Sequence, residues 1–172
     1  MKTIYSILLI LLSLAYTGYS QTAKQYYDRG LAKEELKEYK GAIADYTKAI
    51  GLNPKYSEAY SGRGFVKGEL KDYIGAIADY NKALENSPES IEVYYGIYSG
   101  RGSAKYNLKD YRGAIEDYTK AIEASPKHEY IYMLRGYAKI KLNQKESGCL
   151  DFSKSGELGN KEAYEAIKKY CQ

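Results

Sequence analysis

Tryptophan is absent from this 172-residue chain; phenylalanine occurs twice, histidine once, cysteine twice and proline three times. Each scarcity closes something off. The only histidine, His128, falls in the turn after Pro126, where a lone imidazole reads as a solvated loop residue and not a ligand. No Cys-X-X-Cys, His-Glu-X-X-His, Gly-X-X-X-X-Gly-Lys or Gly-X-Ser-X-Gly occurs, so the common signatures of thiol redox, zinc, nucleotide and serine-hydrolase chemistry are missing. Acid pairs such as Glu34 and Glu35 have lysine neighbours on a helix surface, with nothing to raise a pKa. We therefore expect no catalytic residue, no metal and no cofactor, and hence no enzyme. There is no Asn-X-Ser/Thr acceptor for glycosylation either. A block of like charge is also lacking: 26 basic and 22 acidic residues are mixed throughout, for a net charge of +4. That distribution suits a solvated surface rather than a nucleic-acid patch.

Long apolar runs are confined to the start. Lys2 is followed by the apolar stretch Ile4 to Tyr16 and then by Thr17, Gly18, Tyr19, Ser20 and Gln21. This is the pattern of a secretory signal peptide over residues 1–20, with small Gly18 and Ser20 placing the cut before Gln21. The run falls short of the roughly 20 residues a membrane span requires, so no stable membrane insertion is expected after cleavage. The mature chain, 21–172, is then expected to be exported, to a periplasm or beyond.

What the sequence has in abundance is tyrosine, 22 of them, and repetition. GAIADYTKAI at Gly41 returns as GAIADYNKAL at Gly75 and GAIEDYTKAI at Gly113, at spacings of 34 and 38 residues. Tyr26, Tyr60, Tyr98 and Tyr132 keep the same step, as do Gly30, Gly64, Gly102 and Gly136, while Pro54, Pro88 and Pro126 close the first three copies. Within a copy, Tyr26 to Leu36 and Lys40 to Leu52 each carry apolar and small residues at helical spacing, joined by Lys37, Glu38 and Tyr39. Asn53-Pro54 ends the second helix. Each unit is thus a helical hairpin in which Gly30 and Ala42 permit close approach and Tyr46 and Ile50 fill the space beside them.

A 34-residue period, a small residue midway along the first helix, alanine and an aromatic in the second and a closing proline resemble the tetratricopeptide repeat. The resemblance covers about residues 23–159 and implies an all-α, right-handed superhelical solenoid. Four repeats are expected, about 23–56, 57–90, 95–128 and 129–159, followed by a capping helix at 161–170. A hairpin of this kind cannot bury its apolar face alone, so copies must stack.

Every copy also has an arginine in its first helix and an aspartate sixteen residues on: Arg29 with Asp45, Arg63 with Asp79, Arg101 with Asp117, Arg135 with Asp151. In an antiparallel hairpin the two lie equally far from the bend and face each other, a structural ladder rather than an anion-binding strip. The fourth copy departs from the pattern, reading Ser147-Gly-Cys-Leu-Asp-Phe in its second helix. Cys149 and Cys171 stand equally far from a turn at Asn160, which brings them together as a disulfide in an oxidising compartment. The alternative is two separate thiols, Cys149 buried and Cys171 at a frayed end.

What the resemblance implies for function is a non-catalytic scaffold that holds a peptide or partner protein on the concave face of the first helices. By register that face offers Tyr27, Leu31, Ser61, Phe65, Ser99, Ser103, Tyr106, Met133 and Tyr137, with Ile140 beyond. The family's clamp for a C-terminal carboxylate needs Lys, Asn and Arg, but the matching positions hold Tyr27, Leu31, Gly62, Gly96 and Gly100. Four extra residues between Pro88 and Ser99 add about one turn, 5.4 Å, and are expected to push Ile91, Val93, Tyr94, Tyr95 and Ile97 out as a ridge. The protein is read as a monomer or a weak self-associator; the alternative to a peptide-binding scaffold is a structural solenoid assembling in the cell envelope.

Overall fold

In the computed structural model, the described residues are 22–87 and 91–172, with the backbone alone over 91–93. The signal-peptide stretch and Pro88 lie outside them. Nine α-helices and no strand are found among these residues: α1 (Ala23–Glu35), α2 (Tyr39–Leu52), α3 (Ser57–Glu69), α4 (Tyr73–Asn86), α5 (Ile91–Asn107), α6 (Tyr111–Ala124), α7 (Glu129–Lys141), α8 (Lys145–Glu157) and α9 (Glu162–Tyr170). Helices pair as α1–α2, α3–α4, α5–α6 and α7–α8, each pair stacks on the next, and α9 packs on α8. The architecture is the expected right-handed solenoid of four hairpins and a capping helix.

Every hairpin turns in the same way. The first helix ends on a residue with positive φ, Lys37 (59°), Lys71 (65°), Lys109 (65°) or Asn143 (58°). The following amide then reaches back five residues, as Glu38 N–H to the Lys33 carbonyl at 2.8 Å and Asp72 N–H to the Lys67 carbonyl at 2.9 Å. These are Schellman closures, which satisfy carbonyls the helix end would otherwise orphan. A left-handed conformation disfavours a side chain at this position, and lysine there is tolerated because the same geometry sets the bend. Asp72 and Asp110 then start the second helices, their carboxylates accepting from the Gly75 and Gly113 amides at 3.0 Å.

Packing follows one rule, an aromatic ring against glycine. Tyr46 is fully buried between α1 and α3: a methyl group built on Gly30 would stand 2.7 Å from its ring, and one on Gly62 also 2.7 Å. Tyr80 sits likewise between Gly64 and Gly100, Tyr118 lies against Gly102, and Phe152 against Gly136. The glycines are holes that fit one ring each, which is why the same letters recur.

Of the ridge expected from the four extra residues, Tyr95 and Ile97 are placed inward instead. Helix α5 is longer, at 17 residues against 13 in α1. Yet Ile97 is completely buried and Tyr95 packs into the α5–α7 core, stacking on His128 at 4.6 Å. Tyr94 lies half-buried beside Tyr98; the Ile91 and Val93 side chains are outside the described residues. Tyr95 and Ile97 turn inward because the neighbouring repeats' cores lie within their reach.

Candidate functional site

The first helices α1, α3, α5 and α7 touch in succession and line the concave side. Between them lies an open cavity of about 630 Å³ that runs from Tyr27 and Leu31 to Tyr130 and Leu134. Its lining includes Gly62 and Gly100, packed on the Tyr46 and Tyr80 rings, and Gly68 and Gly96, where a methyl group would meet nothing within 4 Å.

Six of the nine concave residues read from the sequence line this cavity: Tyr27, Leu31, Ser61, Phe65, Ser99 and Ser103. Phe65 remains 45% exposed, unusual for so large an apolar ring and consistent with a contact surface. Two of the serine hydroxyls bond to their own helix, Ser99 donating to the Gly96 carbonyl at 3.2 Å and Ser103 to the Ser99 carbonyl at 2.9 Å.

The other three are placed elsewhere. Met133 is 1% exposed, in a core cluster with Phe152, Ala163 and Ala166 of the cap. Tyr137 packs edge-on against Phe152 and Tyr170, with centroids 5.0 and 6.0 Å away, and Ile140 joins the same cluster. Tyr106 packs edge-on to Tyr111 at 5.2 Å. Helix α9 covers the concave side of the last hairpin, so residues in register with the groove become core. Tyr130 and Leu134, one position off the expected face, line the cavity instead.

Register reasoning also missed three carboxylates at the cavity, Glu34, Glu58 and Glu69. Glu34 is half-buried and accepts from the buried Tyr46 hydroxyl at 2.6 Å. Burial raises its pKa above the ordinary carboxylate value, against that hydrogen bond, and the nearby Glu35 and Glu69 charges raise it further. Burial and surrounding acids push the Tyr27 phenol up to about 12.

The arginine–aspartate ladder is structural. Each aspartate is buried and takes two hydrogen bonds from its arginine, as Arg101 to Asp117 at 2.9 and 2.6 Å. A second cation, which sequence reading overlooked, closes each rung: Lys33, Lys67, Lys105 and Lys139 lie 2.8 Å from the four aspartates. The signal was present as an Arg-X-X-X-Lys spacing in every copy. Three of the arginines also clip onto the preceding hairpin, Arg63 on Thr47, Arg101 on Asn81 and Arg135 on Thr119, at 3.0, 2.6 and 3.1 Å. Beneath them lie Tyr60, Tyr98 and Tyr132 at cation–π distance.

At the far end Cys149 and Cys171 are joined, with Cα atoms 5.8 Å apart, tying α8 to the end of α9. Among the described residues no cluster of three ligating side chains could hold a metal, and no helix is long and apolar enough to cross a membrane.

Comparison with known proteins agrees with this geometry. The tetratricopeptide repeat models match residues 23–56, 57–90 and 95–128, more than half of the chain. The chain belongs to the tetratricopeptide repeat family. Among solved structures, MamA 41-end from Desulfovibrio magneticus RS-1 is 22% identical with a TM-score of 0.70, over 79% of this chain and 75% of that one. The APC/C hetero-tetramer Cut9-Hcn1 aligns at a TM-score of 0.81 and 15% identity, covering 88% of this chain but 30% of its own. The first TPR of Spaghetti (RPAP3), solved bound to an HSP90 peptide, SRMEEVD, is 25% identical with a TM-score of 0.67, over 73% and 96% of the two chains. No curated protein matches significantly.

Proposed function

We propose that this tetratricopeptide repeat protein is an exported, non-catalytic scaffold that holds an extended segment of a partner protein in its concave cavity. The observation that carries this reading is the cavity itself. It is open, reaches from the first hairpin to the fourth, and is lined by aromatic rings and glycines, the form a pocket for an apolar-studded peptide takes. That a related domain of RPAP3 was solved with a peptide bound supports this use of the fold. The acidic peptide in that complex is not a fit here, because this cavity has carboxylates in place of a cationic clamp. Export is supported by the signal-like start and by a disulfide, which persists in oxidising compartments.

Photo-crosslinking in the native host tests the groove. A benzoylphenylalanine placed at Ser61 or Ser99 is expected to trap a partner, while the same group at the exposed convex positions Ile74 or Leu150 is not. Trapping from the convex positions alone would overturn the reading. Intact mass of the exported protein, expected to lack residues 1–20, checks the signal.

A further inference from the structure

The groove holds three carboxylates and no cation. Glu34, Glu58 and Glu69 border it, no lysine or arginine does, and among the described residues none of the three takes part in an ion pair. Basic side chains on the same helices are already committed: Lys33 and Lys67 close on Asp45 and Asp79. The local charge is therefore opposite in sign to that of the whole chain, which is +4.

Two of these carboxylates meet a tyrosine hydroxyl of α2. Tyr46 donates to the half-buried Glu34 at 2.6 Å and holds it, while Tyr39 makes a longer contact of 3.4 Å to the exposed Glu69. The two charges feel each other, and both act on Tyr80 in the cavity wall, whose phenol is pushed up first by burial and then by Glu34 and Glu69. Holding like charges near one another without a counter-ion, with Glu34 half-buried and Glu69 exposed, costs stability in the free protein. A cationic ligand would relieve that cost.

The geometry points to an occupant of defined chemistry: a protein segment bearing a lysine or arginine, its charged head between Glu34 and Glu69 and its methylene stem along Phe65 and Tyr73. This rests on the groove being the binding surface, as argued above. A metal ion is the poorer fit, since no three ligating side chains converge there among the described residues. Lysine and arginine carry the charge on a stem that can lie on apolar surface, and Arg adds the fork that engages two carboxylates.

The test is a random dodecapeptide library displayed on phage, panned against the purified protein, with enriched peptides labelled by fluorescein and titrated by anisotropy. Enriched sequences are expected to carry Lys or Arg, to lose affinity when that residue is changed to Gln, and to weaken about tenfold or more on Glu34→Gln/Glu69→Gln. Two groove-filling variants, Ser61→Trp and Ser99→Trp, with melting curves to verify folding, locate the peptide independently. Peptides that lack a cation, or that keep full affinity for the double Gln variant, while being excluded by the Trp variants, overturn the charge inference and leave the groove standing. Peptides indifferent to both Trp variants, or no enrichment at all, overturn the groove reading and this inference with it.

Discussion

The first three hairpins and the last one share a template but use their concave faces differently. At the position of Tyr27 the copies read Tyr27, Ser61, Ser99 and Met133, and at the next position Asp28, Gly62, Gly100 and Leu134. Side chains shrink in the middle of the stack, where the cavity opens, and grow at its end, where Met133 packs with α9 and Leu134 walls the cavity. A repeat array thus obtains a site by omitting bulk and a terminus by adding it. Cohesion differs too. The N-terminal rung Arg29–Asp45 leaves its arginine 41% exposed, whereas Arg101 is 15% exposed over Asp117.

The largest expected effect follows from that last contrast. Asp117→Ala leaves Arg101 and Lys105 facing each other with no acid, and is expected to cost about 4 kcal/mol. Asp45→Ala at the outer rung is expected to cost clearly less. Urea melts of the two variants check the order, and equal losses would erase the distinction between inner and outer rungs.

The capped end is expected to depend on its bridge. Replacing Cys149 and Cys171 with alanine together removes a loop constraint worth about 3 kcal/mol, and hydrogen exchange in α9 should rise before exchange in α3 does. Uniform protection loss along the stack would mean that the cap is no separate element.

Glycines sharpen the comparison further. Gly136→Ala sets a methyl 2.6 Å from the Phe152 ring, with the Gly148 carbonyl at 3.1 Å behind it, and is expected to cost about 2 kcal/mol. Gly96→Ala, with nothing within 4 Å, is expected to stabilise by about 0.5–1 kcal/mol, since alanine is the better helix former. Thermal melts showing the same sign for both would refute the division into packing glycines and cavity glycines.

The smallest effect is in acid. The Asp45 carboxyl is held down to about 2, from an ordinary 3.8, first by the hydrogen bonds of Arg29, with Lys33 assisting and burial opposing. A depressed folded-state pKa means that the unfolded chain binds more protons. The rung's contribution is therefore complete above 3.8 and is lost as pH falls through about 2. Carbon NMR of the aspartate carboxyls should find a midpoint near 2 for Asp45; a midpoint near 4 would show that the outer rung does not hold.

Much of this was legible in one dimension. The recurrence of Gly30, Gly64, Gly102 and Gly136 with Tyr46, Tyr80 and Tyr118 announced hairpins that interlock, and a turn at Asn160 equidistant from two cysteines announced the bridge. The lysine of each rung was equally visible at Arg+4 and passed unread. Met133, Tyr137 and Tyr106 were misplaced because register along one helix says which way a side chain faces, not whether another helix covers that face. Glu34 was read as a helix-surface acid for the same reason.

The chain's letters alone determined the repeat, its hairpins and its internal ion pairs, since these depend on residues a fixed distance apart along the chain and on periodicity that survives in every copy. Whether a concave position is floor, wall or core was decided only when hairpins stacked and α9 closed one end. Solvent access and the local field around a carboxylate are properties of all the neighbours together, and those neighbours come from four separate helices.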